Sequence, residues 1–587
     1  MKKIYKYVFM GMLSLSALSS CTNIEDYPDG RINFSDIFAT DRKTGGYMNL
    51  CYSHILPQGC WYGNNVFLSA FTDDAQDANS VNNSSAAQWW NNGLTPYNNP
   101  VESGSNGGYW DNYFTGIRQC NVFLANIGTA NVYSEKTRRS YTAEAHVLRA
   151  YYLLKLIKRY GGVPFSPKAY ALDTDYSKVK RMSFNECAKQ IIADCDTALA
   201  YTNADFGWHM GSTNDDRGKM TKAVAMAVKS QAALFAASPL WADGTISWAD
   251  AAAICKQAID SCRANGYKLY MSTSADTHNA YDTYFLQQSD VAGTSDPETI
   301  MEIKNRMNLY QTNGLPTVDG QESAGTCPTQ ELVDCYETKD GHQPILGYSD
   351  PEHLHPIINP EAKQYNEKNP YNNRDPRLDA AIYYNGARFL LNNAGSRVQC
   401  FDGAPMATDT TGLNRRFTPT GYYLRKYSNW KSNRQSNDDG YFKVFRFAEL
   451  LLNYAEAANE ASTNGLAPKD AVDAVNEVRD RVKMPKLPYG MSQEDFRARV
   501  RNERRVEFAF EEHHFYDIRR WKTLGQEGNV VTGMHSVRKG FSYTYNRFVV
   551  SDSRQASEEK FLIFPIPGDE ALRMLNYTGE TFQNPGW

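Results

Sequence analysis

The chain of 587 residues has the size and composition of a large folded body, since 42% of its residues are hydrophobic and can bury an extensive core. Its 62 basic and 66 acidic residues give a formal net charge of -4, which excludes the strongly basic surface typical of nucleic-acid binding. A neutral ligand is more consistent with this near-neutral charge than a nucleic acid is.

The first residues have the order of a bacterial lipoprotein signal. Two lysines precede a short apolar run at residues 8–18, and small residues then lead to Cys21. The run is too short to span a bilayer as a helix. We therefore predict that residues 1–20 are a signal peptide, that Cys21 is the lipid anchor, acylated with palmitate or a similar chain, and that residues 21–40 form a tether. An ordinary secretory peptide is the alternative.

Helical periodicity dominates the segment 133–266, where apolar residues recur with the spacing of an amphipathic helix. The predicted helices are Ser134–Tyr160, Ser183–Tyr201, Thr221–Ser238 and Ser247–Asn265. The second of these begins with a capping-box pattern, in which Ser183 is followed three residues later by Glu186.

A second helical block occupies residues 444–521. The helices predicted in it are Val444–Asn459, Pro468–Val482 and Ser492–Arg520. Helix pairs of tetratricopeptide length recur in both blocks, and each such pair buries its apolar face against its neighbours. The pattern predicts a mainly α fold, a helix-pair (tetratricopeptide-like) scaffold with few short strands.

The segments 60–110 and 266–440 form a large irregular, loop-rich region. The second is rich in Asn, Asp, Gly and Pro, with one short strand predicted over Thr299–Lys304. Long loops of this kind usually carry function. We expect one domain over residues 41–587, with the helical blocks as scaffold and these two segments as the ligand-binding region.

Between Trp61 and Trp110 aromatic residues alternate with Asn far more densely than in the rest of the chain. A pyranose ring has an apolar face and a rim of hydroxyls, so its site needs an aromatic platform beside fixed donors and acceptors. Trp61, Trp89 and Trp90 are candidate platforms, and Asn64 is a candidate polar contact. Adjacent residues point in different directions, so we expect Trp89 and Trp90 to divide between ligand and scaffold. Core packing is the alternative for each ring.

The sequence lacks the common signatures of catalysis and metal binding. It has no Gly-x-Ser-x-Gly elbow, no phosphate loop and no His-Glu-x-x-His pair. His513 and His514 are adjacent, and His353 and His355 flank Leu354 in what reads as a surface turn. A glycosidase needs two carboxylates about 5–10 Å apart, a distance that sequence does not reveal. We predict a protein that is not an enzyme and that has no cofactor and no metal site.

Four segments together resemble the SusD/RagB family. They are AEAHVLRAYYLLKLIKRYGGVPF (Ala143–Phe165), FRFAELLLNYAEAANE (Phe445–Glu460), RNERRVEFAFEEHHFYDIRRW (Arg501–Trp521), and FPIP with the terminal QNPGW. Arg374-Asp375-Pro376-Arg377 between them also resembles a family signature. The charged residues of the third segment have spacings that permit ion pairs along a helix, and we expect them to fasten helices together.

The resemblance implies a surface-exposed, lipid-anchored lipoprotein of the outer membrane. Such a protein captures an oligosaccharide or polysaccharide and delivers it to a partner, a SusC-like TonB-dependent transporter. Further ligand residues implied by the resemblance are Asp73, Asp74, Tyr281, Tyr284, Asn305 and Tyr310. Two alternatives stay open, a peptide-binding uptake lipoprotein of the RagB type and a helical polysaccharide-degrading enzyme.

Overall fold

The fold was analysed in a computed structural model of the chain. It describes residues 34–63, 65–79, 84–102, 108–171, 173–211, 213, 216–286, 296–389, 396–526, 529–555 and 559–587. The expected signal peptide, the lipid anchor Cys21 and most of the tether lie outside the described residues, as does Asn64.

The described residues are mainly helical, which confirms the predicted fold class. Helices before residue 290 are α1 (Phe34–Ile37), α2 (Asp41–Tyr52), α3 (Ser85–Trp90), α4 (Gly108–Asn126), α5 (Glu135–Tyr160), α6 (Phe184–Leu199), α7 (Lys222–Ala237), α8 (Trp248–Ala264) and α9 (Ala280–Leu286). Later helices are α10 (Leu309–Thr312), α11 (Gln330–Cys335), α12 (Pro376–Ala381), α13 (Phe447–Glu460), α14 (Lys469–Arg481), α15 (Gln493–Glu507), α16 (His513–Arg520) and α17 (Gly568–Thr578). The capping box expected at Ser183 is present at the start of α6.

Strands are short and pair two by two. They are β1 (Ala75–Asp77), β2 (Thr299–Arg306), β3 (Thr326–Pro328), β4 (Ile345–Tyr348), β5 (Pro356–Ile358), β6 (Ile382–Tyr383), β7 (Tyr423–Leu424), β8 (Tyr441–Arg446), β9 (Val531–Lys539) and β10 (Ser542–Ser551). The antiparallel pairs are β1 with β3, β2 with β8, β4 with β5, β6 with β7, and β9 with β10. The helix expected from Val444 begins at Phe447, because β8 continues to Arg446.

The single helix expected over Ser492–Arg520 is two helices, α15 and α16, so that prediction was wrong. Phe510 and Glu512 between them adopt positive φ angles of 62° and 71°, a conformation that interrupts a right-handed helix. The Glu512 carboxylate accepts hydrogen bonds from the Tyr62 hydroxyl (2.7 Å) and the Gly59 backbone N–H (3.1 Å). Helical periodicity contains no information about such distant partners.

The helices pack against one another in a stack, and one long segment of the chain lies outside this stack. Neighbours in sequence pack against each other from α4 to α8, and α13 then packs against α8 and α7. The helices α14 and α15 pack against α13 in turn. Residues 265–446 are therefore inserted between two helices that contact each other. This inserted region closes at its base where β2 pairs with β8, with Thr299 opposite Arg446.

Buried ion pairs hold the inserted region to the helices. Arg377 Nη1 lies 2.6 Å from Glu503 Oε1 and 2.9 Å from Glu507 Oε2, and Arg446 and Arg481 pair with Glu507 as well. Burial alone would raise the pKa of Glu507, but the three guanidinium groups hold it well below its ordinary value. The expected fastening role is confirmed, and these ion pairs join different elements.

None of the described helices combines the length and the apolar character that crossing a bilayer requires.

Candidate functional site

Trp89 and Trp90, the expected stacking residues, lie in the hydrophobic core at the end of α3. Trp89 is fully buried, and its ring centroid lies 5.3 Å from that of Phe561 and 5.9 Å from that of Phe564. Trp90 is also buried and donates from Nε1 to the Ala70 carbonyl at 3.0 Å. Core packing, the alternative interpretation of these rings, is the one that fits the structure.

Asp73 and Asp74 are also buried, and their charge is balanced inside the protein. Arg505 Nη2 lies 2.7 Å from an oxygen of each carboxylate, and His514 Nε2 lies 2.8 Å from Asp73 Oδ1. Burial favours neutral His514, yet Asp74 and Asp73 hold its pKa above the ordinary value. One ligand atom each from Asp73, Asp74 and His514 lies within 4.8 Å of the others, but Arg505 already supplies positive charge there. The two carboxylates therefore do not face a sugar.

Tyr281 and Tyr284 on α9 are buried in the core as well. The Tyr281 hydroxyl donates to the Glu507 carbonyl at 2.8 Å and accepts from Lys426 Nζ at 2.6 Å. The Tyr284 hydroxyl lies 2.8 Å from Thr299 Oγ1. Both hydroxyls are engaged within the fold, so these residues do not present a ligand surface. Tyr281 joins the inserted region to α15, whereas the Tyr284 contact lies within the inserted region.

Trp61 and Tyr310 differ from the other candidates because both remain accessible. Trp61 is 39% exposed, and Tyr310, on the short helix α10, is half-buried. Gly59, two residues before Trp61, adopts a φ of +85°, and a Cβ atom there would lie 2.9 Å from Met307 Sδ, so this segment lies directly against the end of β2. Of Asn305 only the backbone, within β2, is described.

Asp439 joins the loops that carry the accessible rings. Its Oδ2 accepts from the backbone N–H of Leu309 (2.7 Å) and Tyr310 (3.4 Å). Its Oδ1 accepts from the N–H of Asn429 and the hydroxyl of Ser432, both at 2.9 Å. Burial raises the pKa of Asp439 to about 6, although the four hydrogen bonds oppose that shift. One carboxylate thus fixes the loop at Tyr310 to the loop at Asn429.

The loop at Asn429 carries two accessible residues that the sequence analysis missed. Trp430 is half-buried and Arg434 is exposed. A Cβ atom on Gly320 would lie 3.1 Å from Arg434 Cβ and 3.4 Å from Tyr310 Cε2, so the side chains of Arg434 and Tyr310 cover the same turn. The sequence did contain a signal for this loop, because Trp430 is flanked by Asn, Ser and Lys, much as Trp61 is followed by Asn residues.

We call the surface of Trp61, Tyr310, Trp430 and Arg434 the aromatic loop surface. Its first segment lies against the second at Cys60, whose thiol is close enough to Asn308 to interact with the Asn308 backbone N–H. Burial raises the pKa of that thiol to about 12, and the Asn308 N–H opposes this shift. Accessible aromatic faces beside amide and guanidinium donors suit a ligand that has both an apolar face and hydroxyl groups.

Comparison with protein families identifies the chain. A profile of the SusD family matches residues 270–587, more than half of the chain. A second profile, described as starch-binding associating with outer membrane, matches residues 55–206. Among curated proteins, SusD-like protein P2 of Formosa agariphila is 22% identical over 596 residues, covering 100% of both chains. SusD-like protein P25 of the same organism is 24% identical and covers 71% of this chain and 70% of that protein.

Solved structures share the fold. A SusD-like protein from Bacteroides fragilis superposes with a TM-score of 0.74 at 24% identity, covering 95% of this chain and 99% of that chain. A SusD-like carbohydrate binding protein from the same organism gives a TM-score of 0.67 at 21% identity, covering 92% of this chain and 99% of that one. The surface glycan-binding protein A of Bacteroides fluxus gives 0.56 at 20% identity, covering 94% and 100%. The chain belongs to the SusD family.

Proposed function

We propose that this protein is a surface-exposed lipoprotein of the outer membrane that captures an oligosaccharide or polysaccharide on the aromatic loop surface. It then delivers the glycan to a SusC-like TonB-dependent transporter. Family membership supports the outer-membrane setting, and the lipoprotein signal ending at Cys21 supports the lipid anchor. Two similar solved proteins are described as carbohydrate-binding or glycan-binding, which supports the ligand class.

The observation that carries the proposal is that one buried carboxylate, Asp439, joins the backbone of two segments that carry accessible rings. Trp61, Tyr310 and Trp430 come from segments far apart in sequence, and Asp439 fixes two of these segments through backbone donors. Rings held in place lose little conformational entropy when a sugar stacks on them. Arg434 beside Tyr310 adds donors for ring hydroxyls.

We propose that the protein captures the glycan and carries out no chemical step on it. The carboxylate in contact with these loops, Asp439, accepts four hydrogen bonds from protein donors and is buried. It is therefore not placed to protonate a glycosidic oxygen or to attack an anomeric carbon. We expect the bound glycan to be released unchanged, with a dissociation constant in roughly the micromolar to millimolar range.

The test is binding of the soluble protein without residues 1–21 to a panel of soluble α-glucans, β-glucans, mannans and pectins, and to oligopeptides. Affinity electrophoresis identifies ligands, and calorimetry measures their affinity. We expect Trp61→Ala with Trp430→Ala to weaken glycan binding about tenfold or more, or roughly 1.4 kcal/mol. Tyr133→Ala is the matched control, because that ring is 86% exposed and lies outside the aromatic loop surface.

Each outcome decides between the candidate functions. Loss of glycan retention in the double variant, with unchanged circular dichroism, supports capture at this surface. Unchanged retention would place the glycan site elsewhere, and retention of peptides alone would favour the RagB-type function. New reducing ends in the incubated glycan would show an enzyme.

A further inference from the structure

A groove of about 540 Å³ lies on the helical side of the molecule, between the outer face of α4, the chain that follows α5, and α17. Trp110 and Phe114 of α4 form part of its wall, and Tyr170 and Tyr176 stand at its edge. No residue of this groove belongs to the aromatic loop surface. Its volume falls within the range of small-ligand pockets, about 300–1,000 Å³.

Three tyrosine rings form a continuous exposed surface at this groove, which we call the tyrosine groove. Tyr170 and Tyr176 have ring centroids 5.6 Å apart, and Tyr176 and Tyr577 of α17 also lie 5.6 Å apart. The three rings are 39%, 37% and 54% exposed. They reach one surface from two segments, the chain that follows α5 and the helix α17, and contiguous exposed aromatic surface of this kind generally marks a contact site.

The charges along the tyrosine groove cancel. Asp111 and Arg118 lie on the α4 wall, and Glu570 and Arg573 lie on the α17 wall. Arg573 Nη1 pairs with Glu570 Oε1 at 2.5 Å. Two acidic and two basic groups leave no net charge to attract an anionic or cationic partner. They do offer donors and acceptors on both walls beside the aromatic faces.

We propose that the tyrosine groove is a second saccharide-binding site, which takes a neutral sugar by stacking on Tyr170 and Tyr176 and by hydrogen bonding to the charged rim. This inference rests on the proposed function, because it extends glycan capture to a second surface. Two separate sites on one chain would raise the apparent affinity for a polymer long enough to occupy both, or for a polymer bound by two molecules.

A saccharide fits the tyrosine groove better than a protein partner does. The concave shape, the cancelled charges and the mixture of ring faces with polar groups match the needs of a sugar. A protein docking here would be expected to cover the exposed apolar side chains Leu572 and Leu575 of α17. These residues lie about 100–160° around the helix from the groove-lining Glu570 and Arg573, given roughly 100° per residue.

The test uses the soluble protein without residues 1–21, the same panel of soluble polysaccharides, and a set of variants. Tyr170→Ala with Tyr176→Ala removes the groove platform, and Trp61→Ala with Trp430→Ala removes the platform of the aromatic loop surface. Tyr133→Ala is the control for loss of an exposed tyrosine. Thermal melting and circular dichroism verify that each variant is folded. Retention in affinity gels and calorimetry with the corresponding oligosaccharides measure binding.

We expect the groove variant to weaken retention of at least one polysaccharide threefold or more, while Tyr133→Ala retains the wild-type affinity. The combined variant, which lacks both platforms, is expected to lose retention of that polysaccharide. Wild-type retention of every bound polysaccharide by the groove variant would overturn the second site and leave the proposed function intact. Failure of the wild-type protein to retain any polysaccharide would overturn both. A further variant carries Leu572→Gln and Leu575→Gln. If it loses sugar binding while the groove variant keeps it, the assignment of the sugar to the tyrosine groove is overturned.

Discussion

Asp439 has the most unusual setting of the charged residues at the aromatic loop surface. It is buried, and the four hydrogen bonds that stabilise its charge all come from neutral donors. Burial outweighs these donors and raises its pKa from 3.8 to about 6. The loops that carry Tyr310 and Trp430 are therefore coupled to a protonation event in a mildly acidic range.

The first prediction follows from this pKa. A carboxyl group with a raised pKa in the folded state contributes stability that is fully present below pH 3.8 and is lost as the pH rises through about 6. Between pH 4 and pH 7 the free energy of unfolding of the wild type should fall by roughly 1–3 kcal/mol relative to Asp439→Asn, which does not titrate. Urea unfolding at pH 4, 5, 6 and 7 measures the difference.

Asp438→Asn is the control for this measurement, because Asp438 is partly exposed and its carboxylate lies 3.8 Å from Arg306. It should leave the pH dependence unchanged. Parallel pH profiles for the wild type and Asp439→Asn would contradict the assignment of the titration to Asp439.

Among the elements, amphipathic helices with good caps were predictable and short interrupted ones were not. Ser183 and Glu186 define the start of α6 through contacts three residues apart, so a local pattern was sufficient. Trp89 on α3 packs against Phe561 and Phe564, which lie hundreds of residues further along the chain. Its burial depends on those distant rings, and no local pattern distinguishes it from the accessible Trp61.

The break between α15 and α16 gives the second prediction. Glu512→Ala removes the acceptor for the buried Tyr62 hydroxyl and the Gly59 N–H, so the free energy of unfolding should fall by about 1–3 kcal/mol. Segment 59–62 should loosen, and Trp61 within it should then bind glycan less tightly. Urea unfolding and calorimetry with a retained oligosaccharide measure the two effects.

Glu512→Gln keeps one acceptor oxygen at the same position and should cost less than Glu512→Ala in both measurements. Equal losses for the two variants would show that the negative charge, and not the pair of accepted hydrogen bonds, holds this segment.

Over the whole molecule, ion pairs connect regions that are remote in sequence. Arg505 on α15 pairs with Asp73 and Asp74, and so joins the beginning of the described chain to the second helical block. Predicting from sequence that the third family segment fastens helices was correct, but its partners could not be inferred, because complementary charges are common throughout the chain.

The third prediction concerns this long-range connection. Arg505→Met leaves the buried carboxylates of Asp73 and Asp74 without their guanidinium partner, so the free energy of unfolding at pH 7 should fall by about 3–5 kcal/mol. Arg263→Met removes an exposed pair with Glu477 and should cost about 1 kcal/mol or less. Chemical unfolding of both variants gives the comparison, and similar losses would contradict the role of Arg505 in balancing the charge of the two buried carboxylates.

The inserted region also has a consequence for how relatives diverge. Because α8 and α13 contact each other directly and β2 pairs with β8 at the base, the loops between them can change in length and sequence without separating the helices. A transplant of this region from one relative to another would have to retain the cations that anchor it, Arg377 beside Glu503 and Lys426 beside Glu511. With those anchors kept, the proposed ligand residues Tyr310, Trp430 and Arg434 would move with the transplanted region, whereas Trp61 would stay with the scaffold.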